Sequence, residues 1–463
     1  MNNPVQPSWI PDAVFYQIFV ERFANGRPEI DPEGVVPWGS TPTRGNFFGG
    51  DLPGIARHLD HLENLGVNAL YLTPIFEADT NHRYDTADYS RIDHRLGDLA
   101  DYQALLGQAH RRGIRVVLDA VFNHTGEGHW AFRHIRANGP HSPYADWYHM
   151  EFPVQRDPKP NYGTFAGCPY LPKLNHANPK VRDYLYGVAL DWLRTGIDGW
   201  RLDVPYEMEP DFWRGFREVV KGENPQAYIV GEVWELATQW LQGDLFDGTM
   251  NYPLRSAILG FASAKLDARE FVKTMNAVSQ ATPAWARPGM LNLLGSHDTE
   301  RVWTHLDGDP FALRVATALQ FTCEGAPMVY YGDEIGLAGG DDPDNRRPMP
   351  WDKAVWDRGL LAWTRELIEL RKAYPVLRGS EDALVPLSEE AFLRRRGNGD
   401  EAVYLVVNRG EIPVELPADL ASARFAVLLG DGDAVQFGVG RATLGGHSLV
   451  VLGNAYTHPT SQC

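Results

Sequence analysis

Cysteine is scarce in this 463-residue chain. Cys168, Cys323 and the terminal Cys463 are odd in number and far apart, which argues against a disulfide framework and a cysteine-built metal site. Absent too is any run of about 18 apolar residues, so no membrane span is expected. Met1 to Pro11 is polar, with neither a basic stretch nor an apolar core. No signal peptide is read there, and a cytoplasmic location is expected. Basic charge is in deficit. With 43 Lys and Arg against 60 Asp and Glu, the net charge of -17 speaks against nucleic acid and anionic membranes as partners. No long polar low-complexity tract argues for disorder, and 44% apolar residues allow a sizeable core.

What the chain does have is a recurring unit: an amphipathic helix, a glycine, then a short apolar strand. Leu52 to Leu65 places Ile55, Leu59 and Leu62 on one face, stops at Gly66, and leads into Val67 to Thr73. Tyr102, Leu105, Leu106 and Ala109 repeat the pattern, with Gly113 closing it before Ile114 to Asp119. The clearest case spans Pro179 to Thr195, behind an Asn178 N-cap and ahead of Gly196 as the left-handed stop. Phe311 to Glu324 and Gly325 then precede Pro327 to Tyr331. Helices alternating with continuous apolar strands imply a parallel sheet covered by helices. Eight strands, starting near 13, 67, 114, 198, 228, 245, 290 and 327, predict an α/β fold of (β/α)8 TIM-barrel type. The sixth, around Leu245 to Met250, has the weakest pattern.

Two segments break the repeat. Residues 125–178, rich in His, Pro, Gly and aromatics, are too long for a connection and predict a small inserted subdomain over the barrel mouth. The barrel then comprises 1–124 and 179–378. Beyond it, Ala402 to Val407, Arg424 to Leu429 and Ser448 to Leu452 read as short strands, so 379–463 is predicted as an antiparallel β-sandwich.

Three of the predicted strands end on a carboxylate: Asp203, Glu232 and Asp298. An acid at the end of a buried strand is costly unless it faces a cavity or a partner. Any one of them reads equally well as a structural ion pair or a cap. Three on nearby strand ends predict one cavity, and carboxylates so gathered are the equipment for cleaving a glycosidic bond. Arg201, two residues before Asp203, points to the same side and is expected to hold it ionised. Glu232 lies beside Val233 and Trp234, where burial near an indole raises a carboxylate towards general-acid duty. His297, beside Asp298, can hydrogen-bond sugar hydroxyls, as can Asp119, Asn123 and His124. Fourteen Trp and nineteen Tyr supply flat faces suited to sugars, though most are expected in the core.

The segments Asp119 to His124, Gly199 to Asp203, Gly231 to Trp234 and Ser296 to Asp298 resemble the motifs of the α-amylase family, glycoside hydrolase family 13. Agreement extends to Gly49 to Leu52, to His82-Arg83-Tyr84-Asp85, and to Tyr331 to Glu334. The resemblance implies a retaining mechanism with Asp203 as nucleophile, Glu232 as acid then base, and Asp298 distorting the sugar. It implies further that Arg201, His82, His124 and His297 contact that sugar, that Tyr84 stacks on it, and that Asp342 and Arg346 hold the next one. Leu171-Pro172-Lys173-Leu174-Asn175 is similar to the pattern of the neopullulanase, maltogenic amylase and cyclomaltodextrinase group, as is Glu207. Lys173, Glu207 and Trp234 are then expected on the leaving-group side, where Pro205-Tyr206 departs from the group. The activity implied is hydrolysis of α-1,4 bonds in cyclodextrins, maltooligosaccharides, starch and pullulan. Maltose and panose are the main products, with possible sugar transfer. An ordinary α-amylase or α-glucosidase is the alternative. The N-terminal β-domain usual in the group is not read here, so a monomer is expected. Around the group's calcium position only Asn25, Asp31, Gly49 and Asp51 remain, with Arg27 and Ile30 among them, so no metal or other cofactor is expected.

Overall fold

The structure, a computed structural model, describes residues 6–379, 381–421, 425–438 and 440–454. Cys463, Arg424 and the first five residues lie outside that range. In chain order the first ten strands are β1 (Phe15–Ile18), β2 (Ala69–Leu72), β3 (Phe76–Ala78), β4 (Thr86–Ile92), β5 (Arg115–Ala120), β6 (Gly199–Leu202), β7 (Tyr228–Gly231), β8 (Gly248–Thr249), β9 (Leu291–Leu293) and β10 (Ala326–Tyr330). β3 and β4 form a separate antiparallel hairpin. The other eight make one parallel sheet in the order β8-β7-β6-β5-β2-β1-β10-β9. A single parallel bridge, Met250 to Leu291, joins its two ends and closes the barrel.

The strands are short apolar runs because both faces are covered. Phe15, Ala69, Tyr71, Val117, Tyr228 and Val230 pack with one another in one cluster. Their strand neighbours Tyr16, Leu70, Val116 and Ile229 belong to the cluster that includes the helices. The helix Pro179–Arg194 begins where predicted, with the Asn178 side chain accepting from Lys180 N, a cap worth about 1 kcal/mol. Gly196 follows at φ 106°. The segment expected as one helix over Leu52 to Leu65 is instead two, Leu52–Arg57 and Leu59–Leu65. They break at His58, whose ring stacks on Trp351 with centroids 3.5 Å apart. The weak sixth strand is real but only two residues long. A Cβ on Gly248 would meet the Gly289 carbonyl oxygen at 1.7 Å, so the close approach of backbone there demands glycine.

Residues 125–178 contain one α-helix, Trp130–Asn138, two short 3-10 turns, Gly139–His141 and Phe165–Gly167, and otherwise irregular chain pinned by isolated bridges. One of these pairs His124 with Lys173 and so brings the insertion against the end of β5. After the helix Arg358–Ala373 come β11 (Asp382–Pro386), β12 (Ala391–Arg396), β13 (Val403–Asn408), β14 (Val414–Glu415), β15 (Phe425–Gly430), β16 (Val435–Gly438), β17 (Arg441–Leu444) and β18 (Ser448–Asn454). They form a five-stranded antiparallel sheet, β11-β12-β13-β18-β15, and a three-stranded one, β14-β17-β16. Leu393, Val406, Val450 and Leu452 of the first pack with Val414, Ala442 and Leu444 of the second, which makes a sandwich. Among the described residues no helix is long and apolar enough to cross a membrane.

Candidate active site

Parallel register sets the site. Asp119 on β5 pairs with Arg201 on β6, and Leu202 with Gly231 on β7, so the residues that follow emerge side by side at the same barrel end. Asp203 N bonds the Ala120 carbonyl and Glu232 N that of Leu202, which extends the ladder by one residue into each acid.

One guanidinium organises the carboxylates. Arg201 Nη1 donates to Asp119 Oδ1 at 2.8 Å and to Asp203 Oδ1 at 3.0 Å, while Nη2 lies 2.8 Å from Glu232 Oε2. All four side chains are buried or nearly so. Arg201 was expected to keep Asp203 ionised. Instead, burial and the adjacent Glu232, Asp119 and Asp298 charges push the Asp203 carboxyl well above its ordinary range, because Arg201 is divided among three acids. Glu232 is raised by burial and by Asp298, against the opposing pull of Arg201. The part of Trp234 also differs from expectation. Its indole donates to Glu232 Oε1 at 3.0 Å, which favours the carboxylate, so the raising comes from burial and charge. The cluster therefore retains protons that isolated acids would release.

Asp298 stands on the open side, with Oδ2 3.1 Å from His297 Nε2 and Oδ1 3.5 Å from Arg346 Nη2. Desolvation raises it, with Arg346 and Arg201 opposing. Arg346 also holds Asp342 at 2.9 Å and donates from Nε to the His297 carbonyl. Gln17 Nε2 donates to His297 Nδ1 at 2.8 Å, which places the ring proton on Nε2. That nitrogen is 2.6 Å from the Tyr84 hydroxyl, which donates in turn to Asp119 Oδ2 at 2.8 Å. Burial, with Arg346, Arg201 and His82 nearby, holds the His297 pKa well below the ordinary value, so the ring is neutral.

The remaining expected residues divide. Tyr84 is present, its ring stacked on His297 at 5.3 Å. His82 accepts from Tyr84 N through Nδ1, and burial pushes it down to about 3. His124 turns Nε2 to the Tyr84 carbonyl at 3.0 Å and stacks on Phe165, so its polar edge supports Tyr84 rather than facing the acids. Lys173 and Glu207 pair at 2.8 Å near the surface. Next to Glu232, Tyr206, Trp234, Leu236 and Trp240 help line a hollow of about 380 Å³. The sequence reading missed Tyr71, whose hydroxyl donates to Asp119 at 2.6 Å, and Gln17. Both are polar groups inside apolar strands, and that was the available signal.

At the calcium position, Asn25 donates to both Asp31 oxygens, and the Asp51 oxygens accept from Gly26 N, Arg27 N and Gly54 N. The two carboxylates are thus already answered by protein donors. Asn25 Oδ1 is the one buried side-chain oxygen here with no donor, far short of the six to eight that calcium takes, and no step is assigned to a cation.

A parallel barrel whose neighbouring strands deliver paired carboxylates to one arginine at a single end defines a glycoside hydrolase. Residues 17–378 match the family model for the alpha amylase catalytic domain. A cyclomaltodextrinase of Geobacillus thermopakistaniensis is 47% identical over 89% of this chain and 71% of its own length. Neopullulanase 2 of Thermoactinomyces vulgaris is 49% identical over 79% and 63%. Among solved structures, ligand-free cyclic α-maltosyl-(1→6)-maltose hydrolase from Arthrobacter globiformis superposes with a TM-score of 0.91 at 49% identity, covering 97% of this chain and 100% of that one. The chain belongs to the α-amylase family.

Proposed function

We propose that this enzyme hydrolyses α-1,4-glucosidic bonds in cyclodextrins, maltooligosaccharides, starch and pullulan with retention of configuration, releasing mainly maltose, and panose from pullulan. The observation that carries the reading is Arg201 reaching Asp203 and Glu232 at once, since retention needs two carboxyls only about 5 to 5.5 Å apart. The names of the cyclomaltodextrinase and neopullulanase relatives support the substrate class.

In this mechanism the reactive form has Glu232 protonated and Asp203 ionised beside Arg201, so Asp203 must give up the proton that its burial favours. Glu232 gives that proton to the glycosidic oxygen as the bond breaks. Asp203 attacks the anomeric carbon from the other face and forms a glycosyl-enzyme. Glu232, now a carboxylate, takes a proton from the water that releases the sugar. Asp298, with His297, Tyr84, His82 and Arg201, grips the reacting ring. Asp342 and Arg346 hold the preceding glucose, and Tyr206, Trp234 and the Lys173–Glu207 pair line the leaving-group side. A second carbohydrate could occupy that side and accept the glycosyl group in place of water.

Initial rates on β-cyclodextrin, maltotriose, soluble starch, pullulan and cyclic α-maltosyl-(1→6)-maltose test the reading. Maltose is expected as the main product, with β-cyclodextrin cleaved at least as fast as starch. Long mixed products from starch with β-cyclodextrin intact would assign an ordinary α-amylase, and glucose alone an α-glucosidase.

A further inference from the structure

Away from the carboxylate cluster, between the broken helix 52–65 and the start of helix Arg358–Ala373, lies a cavity of about 520 Å³. It shares no lining residue with the site described above, and its volume falls in the range of small-molecule pockets, roughly 300–1,000 Å³. Its wall carries Arg57, Lys353, Arg358 and Arg365 beside the indoles of Trp351 and Trp356.

These cations are conspicuous in a chain of net charge -17. Elsewhere on the surface Arg112, Arg194 and Arg214 each hold a carboxylate at 3.0 Å or less. Among the described residues, Arg57, Arg358 and Arg365 have no such partner, and Lys353 rests only on the Trp356 ring, 5.6 Å from its centroid. Arg365 Nε is buried with no acceptor. The acid that lines the cavity, Asp60, is already turned to Arg112 at 2.9 Å. Burial, and after it the fields of His61, Arg57 and Lys353, push His58 down to about 4, so the ring adds no charge of its own at neutral pH. Both indole N–H groups are satisfied internally, by Phe23 and Pro350 carbonyls, and His58 covers one face of Trp351, which leaves Trp356 and the rest of the Trp351 ring as apolar wall.

Unpaired guanidinium groups around a concave, aromatic-walled space match a compact polyanion carrying a ring. We propose that this cavity binds a small phosphate-bearing molecule, its phosphate among Arg57, Arg358 and Arg365 and its ring against the tryptophans. A sugar phosphate and a nucleotide share that chemistry.

Calorimetric titration of the full chain with inorganic phosphate, glucose 6-phosphate and ADP tests the proposal. Saturable binding is expected for at least one of the three. Binding of inorganic phosphate as tightly as the others assigns a phosphate pocket, tighter glucose 6-phosphate a sugar phosphate, and tighter ADP a nucleotide. The double variant Arg57→Gln, Arg365→Gln is expected to weaken binding at least tenfold while β-cyclodextrin hydrolysis stays at the wild-type rate, which also reports folding. Should that variant not fold, the exposed Arg358→Gln alone is expected to weaken binding several-fold. No saturable heat with any ligand up to about 10 mM, a level that would reveal even millimolar affinity, overturns the proposal, as does unchanged affinity in the folded variants.

Discussion

The Trp234 indole donates a hydrogen bond to Glu232 Oε1 at 3.0 Å while its ring lies flat on Tyr252, centroids 3.8 Å apart. The stack fixes the donor, and the donor favours the ionised acid. Trp234 thus restrains a carboxyl that burial drives the other way. In Trp234→Phe the stack survives and the hydrogen bond is lost. The Glu232 pKa then rises further, and the alkaline limb of the kcat/KM profile, which reports the protonated acid, moves up by about one pH unit. An unmoved limb would show that another group governs it.

Substitution of the two central acids separates their roles. Glu232→Gln is expected to lower kcat on β-cyclodextrin by about 10³-fold yet remain active on α-maltosyl fluoride, whose leaving group needs no proton. Asp203→Asn is expected to lose both activities. Equal losses in Glu232→Gln on the two substrates would contradict the assignment of Glu232 as acid.

Chelation is a direct check on the Asn25, Asp31 and Asp51 cluster. The Asp31 and Asp51 oxygens face protein donors, so dialysis against EDTA is expected to leave both Tm and the initial rate on β-cyclodextrin unchanged. A fall of several degrees, restored by calcium, would show a bound ion.

Acid stability follows from a buried histidine outside the carboxylate cluster. Burial holds His129 down to about 3, well below the unfolded value near 6.5. The unfolded chain therefore binds the proton first. The stabilisation is complete above pH 6.5 and is lost as pH falls towards 3, at roughly 1.4 kcal/mol per pH unit for one such group. His129 also caps helix Trp130–Asn138 through Nδ1, accepting from Ala131 N, and asparagine can keep that cap without titrating. His129→Asn is expected to flatten the loss of stability between pH 6 and 4, measured by urea unfolding. A slope identical to wild type would remove His129 from the account.

Local signals carried much of the architecture. Asn178 and Gly196 mark a helix by chemistry confined to a few residues, and the structure keeps both marks. Asp203, Glu232 and Asp298 stood out because an acid closing an apolar run needs a reason, and register alone brings the first two together. What the sequence left hidden depends on distant partners. The break at His58 accompanies a stack on Trp351, and nothing near His58 announces it. The division of Arg201 among three acids needs β5, β6 and β7 in place, so the expected pairing with Asp203 alone underestimated the competition. Tyr71 and Gln17 stand out only as polar groups in apolar strands, and their partners Asp119 and His297 reach them only when the barrel closes.

β8 is a thin stave, joined to β9 by the Met250–Leu291 bridge and by the Asn251 to Asn292 hydrogen bond, and it separates the strand ending at Glu232 from the strand leading to Asp298. Any widening of this joint moves the proton donor away from the ring clamp. Cross-linking the loops on either side of it is therefore expected to keep turnover going to higher temperature without altering the substrate-facing residues.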